Sequence, residues 1–496
     1  MSKLILAIDQ GTTGTRTYLF DPTGKVVGSA YQEFTQYFPK PGWVEHDALE
    51  IWDSVETTGR KALKSAGVKP SRIAGIGITN QRETVVLWDR KTGKPIHKAI
   101  VWQCRRTAHR CDQLKAQGRA GLFQKKTGLV LDAYFSGTKV EWLLQNVPGA
   151  AKRAAKGELA FGTIDSWLLW KLTGGHSHAT DFTNASRTLL FNIRTKQWDD
   201  QLLKLLHVPR AILPKVHPSA GRFGETSKKS YLGGGIEISG IAGDQQAALF
   251  GQGCHTPGTL KNTYGTGCFL VLNLGKQFLL SKNKLLTTLA CDPHGQPCYA
   301  LEGAVFIGGA AIQWLRDGLQ VIKTSPESEV LARKVPDTGG VYLVPAFVGL
   351  GAPYWDPHAR GALIGITRGT KREHVVRAGL ESLAYQTKDL VDAMVRDSKM
   401  RLRELRVDGG ACKNDLLMQF QADILNVRID RPKMVETTAL GAAALAGLGV
   451  DLWGPGARVP HIRKTDKRFT PKMKGSKRER LWAGWKDAVG RVLTRG

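Results

Sequence analysis

A short turn of glycine and hydroxyl residues, set between two strand-like runs, occurs twice in this chain and limits its fold more than any other feature. Near the N-terminus the apolar run KLILAID (3–9) leads through Gly11, Thr12, Thr13 and Gly14 into a second strand-like run at 17–20. Near residue 265 the string NTYGTG (262–267) leads into the apolar run 268–272. Buried strands bounded by turn formers read this way. A third turn, VDGGA (407–411) with Asn414 beyond it, reads as strand, tight glycine turn and helix. Glycine lets a backbone approach a phosphate closely, and threonine hydroxyls and amides supply donors. Each turn taken alone is also a plain connection with no ligand. Three in one chain point to a phosphate-bearing ligand.

Between the turns, strands and helices alternate. Residues 25–30, 73–79, 84–88 and 238–241 read as strands, and 52–66, 247–251, 373–394 and 416–425 as helices. This alternation predicts an α/β fold. The recurrence of the turn predicts two related lobes, residues 1–250 and 251–496, closely apposed because no low-complexity linker separates them. A chain of 496 residues has length for several domains at roughly 100–200 residues each.

Several function classes lose support here. The longest apolar stretch, 439–450, is short of the roughly 18–20 residues a membrane helix needs. The run 4–8 is too short for a signal-peptide core. None of the seven cysteines forms a C-x-x-C pair, so a zinc ribbon has no support, and a reduced, cytoplasmic setting is the simplest reading. The net charge of +28, with 12 Lys/Arg against 3 acids in residues 461–496, suggests an anionic partner. No zinc-finger or aromatic RNA-binding pattern accompanies it, so no nucleic-acid partner is expected. There is no G-x-x-x-x-G-K-[ST] string and no protein-kinase H-R-D or D-F-G set.

Asp9, a carboxylate closing a strand, can hold Mg²⁺ directly or through water. Asp244 closes another strand and suits a general base or, equally, a helix cap. Arg82 and Glu83 can hydrogen-bond a small polyol from two sides or form a surface ion pair. Trp102 and Tyr134 suit the carbon walls of a pocket or plain packing.

The strings PKPGWVEH (39–46), GITNQRE (77–83), IVWQCRR (100–106), YFSGTK (134–139), TNASR (183–187), GIAGDQQ (240–246) and NTYGTGCF (262–269) together resemble the FGGY carbohydrate kinases, most closely their glycerol-phosphorylating branch. The resemblance runs from about residue 4 to about 450. It implies two ribonuclease-H-like lobes of the actin and sugar-kinase ATPase type, with ATP in the cleft between them. It implies transfer of the γ-phosphoryl group of MgATP to glycerol, with a ketopentose or another polyol as the alternative acceptor. Glycerol would meet Arg82, Glu83, Trp102, Tyr134, Asp244, Gln245 and Phe269, with Asp244 as the base. Nucleotide would meet Thr12, Thr13, Gly14, Arg16, Thr266, Gly309, Gln313, Gly410 and Asn414, and Asp9 would organise Mg²⁺. Family members are often homodimers or homotetramers. The chain departs from the family at Gly14, where a serine is common, and at Gly379, where a small hydroxyl residue is usual. Two segments, 227–235 and 470–480, do not match the regulatory segments of enteric relatives.

Overall fold

The computed structural model describes residues 3–494. Two mixed sheets organise it. The first runs Ala220–Glu225, Glu237–Gly243, Ile73–Asn80, Leu4–Gln10, Gly14–Phe20 and Val26–Glu33 in spatial order. Its three middle members Glu237–Gly243, Ile73–Asn80 and Leu4–Gln10 are mutually parallel; the others pair antiparallel. The second sheet repeats the plan. Leu260–Tyr264, Glu404–Asp408 and Arg428–Pro432 are parallel, a meander of Cys268–Gly275, Pro297–Val305 and Leu286–Cys291 lies on one side, and Thr465–Phe469 closes the other.

Local chemistry explains the element ends. The helix read at 52–66 begins earlier, at Ala48, because the Asp47 side chain accepts the Leu49 N–H at 2.9 Å and caps it. It stops where Gly67 adopts a left-handed φ of 61°. Ile51, Val55 and Ala62 are buried from its apolar face, and Ser54 and Thr58 pair with Thr15 and Thr17 on the sheet at 2.7 and 2.8 Å. All seven cysteines are buried and unpaired. Among the described residues no helix is long and apolar enough to cross a membrane.

Two helices cross between the sheets. Asp244–Gly251 leaves the first sheet, and its Leu249 packs with Val271, Ala290 and Ala300 of the second. Thr437–Gly449 comes from the second half of the chain, and its Ala439, Leu440 and Ala443 cover Ile5, Ala7 and Phe20 of the first sheet. The two helices touch backbone to backbone. A Cβ at Gly441 would lie 1.8 Å from the Ala247 carbonyl oxygen, and one at Gly251 2.1 Å from that of Thr437. Gly379 has a related reason, since a Cβ there would meet the Leu315 side chain at 2.6 Å.

Gly441→Ala should therefore destabilise the protein by about 3 kcal/mol through overpacking against rigid backbone, although alanine gains about 1 kcal/mol over glycine in an ordinary helix interior. Urea unfolding of the two proteins measures the difference, and equal midpoints would remove the close approach as a constraint.

Candidate active site

The parallel strands deliver the site. Gly243 pairs with Asn80, and Asn80 with Gln10, so three neighbouring strands end level. Asp244, the Gln81 to Glu83 segment and the Gly11 to Thr13 turn thus leave the sheet at one edge, where open α/β sheets bind ligands. In the second sheet Thr263 pairs with Asp408, so the turn at 265–267 and the Gly409–Gly410 turn also emerge side by side.

The carbonyl groups of the first turn are tied back into the protein. Gly11 O accepts from Gln10 Nε2 at 2.8 Å and Gln81 Nε2 at 3.1 Å, and Thr12 O accepts from Gln36 Nε2 at 3.0 Å. Thr13 is exposed and Thr12 half-buried. Gly14 has a packing cause: a Cβ would lie 2.6 Å from the Tyr31 ring and 2.7 Å from the Gln32 carbonyl oxygen, so a serine does not fit without rearrangement. Tyr31 carries the Arg16 guanidinium 5.0 Å above its ring, and Arg16 also lies 3.6 Å from Glu436 Oε2. The Asp9 carboxyl is pushed up to about 7, first by burial, with Glu436 and Asp244 adding to the effect and Arg16 opposing it. It accepts no hydrogen bond among the described residues, so a cation would relieve it. No group of three or more His, Cys, Asp or Glu among the described residues could hold a metal alone. One carboxylate beside a phosphate-type turn suits Mg²⁺, which is bound by one or two carboxylates plus substrate phosphates and water.

Beside this turn lie the residues read as polyol contacts. Asp244 is the first residue of its helix, and its Oδ1 accepts the Gln245 N–H at 2.7 Å. Arg82 Nε sits 3.0 Å from the same oxygen, an ion pair not aligned as a hydrogen bond. Arg82 and Glu83 are buried. Glu83 adopts a left-handed φ of 62°, unusual for a side chain with a Cβ. Its carbonyl oxygen accepts from Ser136 Oγ at 3.2 Å and from Lys139 Nζ at 3.3 Å, and burial lowers that ammonium to about 8. Trp102 Nε1 donates to Thr12 Oγ1 at 3.0 Å, joining the indole to the phosphate-type turn, and its ring meets Tyr134 edge-on at 5.5 Å. Gln245 is bound through its side-chain oxygen by the buried Lys261, which also donates to Thr263 Oγ1 at 2.7 Å. Phe269 lies on the second sheet opposite Thr263 and makes no ring contact with the other aromatic residues of this group among the described residues.

The residues read as nucleotide contacts divide between the sheets. Thr12, Thr13, Gly14 and Arg16 belong to the first. In the second, Gly308 N–H donates to Thr266 O and Gly309 N–H to Gly265 O, both at 2.9 Å, so Thr266 and Gly309 are adjacent. Gln313 is exposed one turn along the same helix, Gly309–Asp317. A Cβ at Gly410 would meet nothing within 4 Å. Asn414 uses its Oδ1 to cap Leu417 N–H at 2.9 Å, which leaves its amide nitrogen.

Five charged residues around the site carry no role in the sequence reading: Lys139, Arg187, Lys261, Glu302 and Glu436. Arg187 stands in the TNASR string, and Glu302 is an isolated acid in the mainly apolar strand Pro297–Val305. A charge in such a run was the available signal.

Residues 4–251 match the N-terminal domain of the FGGY family of carbohydrate kinases, and residues 260–450 its C-terminal domain. The chain belongs to this family and has its two-domain fold, of the actin and sugar-kinase ATPase type. It is 58% identical over 491 residues to glycerol kinase 2 of Thermotoga maritima, covering 99% of each chain. It is 56% identical over 493 residues to a glycerol kinase of Alkaliphilus metalliredigens, again covering 99% of each. A crystal structure of Plasmodium falciparum glycerol kinase with ADP superposes with a TM-score of 0.93 at 39% identity, covering 100% of this chain and 99% of that one.

The turn also depends on a buried histidine. His46 Nε2 donates to Gln36 Oε1 at 2.7 Å, and Nδ1 lies 3.3 Å from Gln81 Nε2, an arrangement that suits the neutral ring. Burial lowers its pKa to about 4. Below pH 6.5 the unfolded chain takes up a proton here that the folded chain refuses, so stability falls as pH drops from 6.5 toward 4. This group alone should cost about 2 kcal/mol between pH 7.5 and pH 5. Urea unfolding at both values should show a smaller pH-dependent loss in His46→Gln than in the wild type.

Proposed function

We propose that this protein transfers the γ-phosphoryl group of ATP to a terminal hydroxyl of glycerol, giving sn-glycerol 3-phosphate and ADP. The observation that carries the reading is the convergence of Asp244, Arg82 and Glu83 at level ends of adjacent parallel strands, beside the Gly11 to Thr13 turn. The glycerol kinase names of full-length relatives support glycerol as the acceptor. In this reading residues 1–250 and 251–496 form the two lobes, apart from Thr437–Gly449, which packs on the first sheet. The protein acts in the cytoplasm, as a homodimer or homotetramer, without a nucleic-acid partner.

Phosphoryl transfer asks mainly for positioning and charge stabilisation. The Asp244 carboxylate accepts the proton of the attacking hydroxyl while that oxygen bonds to the γ-phosphorus and ADP departs. Asp244 is about one-third exposed, so it reaches a ligand while Arg82 holds it from behind. Arg82, Glu83 and Gln245 orient the remaining hydroxyls, and Trp102, Tyr134 and Phe269 enclose the carbons. Thr12, Thr13, Gly14 and Arg16 take the phosphates from one sheet. Thr266, Gly309, Gln313, Gly410 and Asn414 hold the nucleotide from the other. Mg²⁺ at Asp9, directly or through water, supplies positive charge at the phosphates when bound.

ADP release by the purified protein with MgATP, with and without glycerol and beside xylulose, ribulose, gluconate and erythritol, tests this. The expected result is strong stimulation by glycerol and an sn-3 product. Stimulation by a sugar instead would move the acceptor. Asp244→Asn should lower kcat by about 10²- to 10⁴-fold with an unchanged melting temperature, and a folded variant at wild-type rate would remove Asp244 as the base.

A further inference from the structure

Arg82 and Glu83 do not stand alone. Arg82 Nη1 and Nη2 donate to the two carboxylate oxygens of Glu302 at 2.6 and 3.0 Å, a bidentate pair. Arg187 Nε donates to Glu83 Oε1 at 2.6 Å, and its Nη2 to Glu302 Oε1 at 3.0 Å. The four side chains form a net-neutral cluster, each 2% exposed or less. Burial would raise the Glu302 carboxyl, but Arg187 and Arg82 outweigh it and hold that group down at about 2. Glu302 is the second sheet's member, on Pro297–Val305; the other three belong to the first half of the chain. Arg187 packs its guanidinium over the Tyr134 and Phe135 rings at 5.7 and 5.2 Å.

The cluster decides what is left for a ligand. Arg82 has five N–H donors. Nη1 spends two, on Glu302 and on Gln246 Oε1 at 3.1 Å; Nη2 spends one on Glu302; and Nε makes no hydrogen bond but is held in the ion pair with Asp244 at 3.0 Å. One Nη2 donor remains. Glu83 spends Oε1 on Arg187, and its Oε2 accepts nothing among the described residues. One donor and one acceptor, on adjacent residues beside Asp244, match the hydroxyls of a vicinal diol.

We propose that Arg187 and Glu302 are positioning residues for polyol recognition, saturating Arg82 and Glu83 so that one donor and one acceptor face the substrate, with Glu302 bringing the second sheet into the polyol site. The inference rests on the polyol kinase reading above.

Steady-state kinetics of Glu302→Gln, Arg187→Lys and the net-neutral double variant Arg187→Met/Glu302→Gln test it, with wild type measured first on glycerol and on propane-1,3-diol, which lacks the vicinal hydroxyl. The variants should raise the KM for glycerol tenfold or more, leave the KM for ATP within twofold, and narrow the preference for glycerol over the diol. Arg187→Lys should retain more of that preference than the double variant. Unequal melting temperatures do not enter this comparison, because a merely structural role moves both KM values together. Equal shifts in both, or an unchanged preference, in any variant that folds would overturn the proposal. If the single variants do not fold, the double variant decides it, and its failure to fold as well would assign the cluster to stability and overturn the proposal. A wild type that phosphorylates another polyol would move the acceptor and leave the same KM comparison to be read with that polyol. A wild type inactive on every polyol would overturn the function reading and this inference with it.

Discussion

Parallel pairing at the centre of each sheet is the constraint on which the rest of this molecule depends. Parallel neighbours run in one direction, so their C-terminal ends align, and whatever follows each strand is delivered to one edge. Here Leu4–Gln10, Ile73–Asn80 and Glu237–Gly243 end level, and the segments that follow them carry the glycine turn, Arg82 with Glu83, and Asp244. Residues more than 150 positions apart become neighbours without any direct sequence signal between them. The second sheet applies the same rule to the turns after Leu260–Tyr264 and Glu404–Asp408.

Beyond the apolar packing of Leu249 on the second sheet, two unlike contacts hold the two sheets together. One is steric: Asp244–Gly251 and Thr437–Gly449 cross with backbone against backbone, which glycine alone permits at Gly251 and Gly441. The other is electrostatic: Arg82 and Arg187 on one side share Glu302 on the other. Desolvating two arginines and two glutamates is expensive, and apolar replacements of buried ion pairs are often at least as stable. The cluster is therefore better explained by the orientation it gives Arg82 and Glu83 than by stability.

Much of the fold was legible in the sequence because its signals are local. Hydrophobic runs bounded by glycine and hydroxyl turns marked the strands at 3–9, 17–20, 73–79 and 268–272. The duplicated turn anticipated two sheets with the same plan. The helix read at 52–66 starts earlier, at Ala48, where the Asp47 side chain caps it. The candidate site is legible through family-like strings, which contain Asp244, Arg82 and Glu83. Arg187 sits inside one of those strings without a role, and Glu302 shows only as a lone acid in a mainly apolar run. A buried ion pair leaves no periodicity, and its partners here are 104 to 220 residues apart.

Gly14 shows the same division at one position. Sequence comparison presents it as a lost hydroxyl, and packing shows that Tyr31 and the Gln32 carbonyl take the space a serine would need. The sequence by itself determined the strands, the turns, the α/β class and which residue types could handle phosphate and polyol, because backbone conformation and hydrophobic period depend on near neighbours. Only the tertiary structure decided that Thr437–Gly449 covers the first sheet, that Trp102 is hydrogen-bonded to Thr12, and that Glu302 crosses over to hold two arginines. Those contacts depend on register and burial, which exist only after the two sheets have come together.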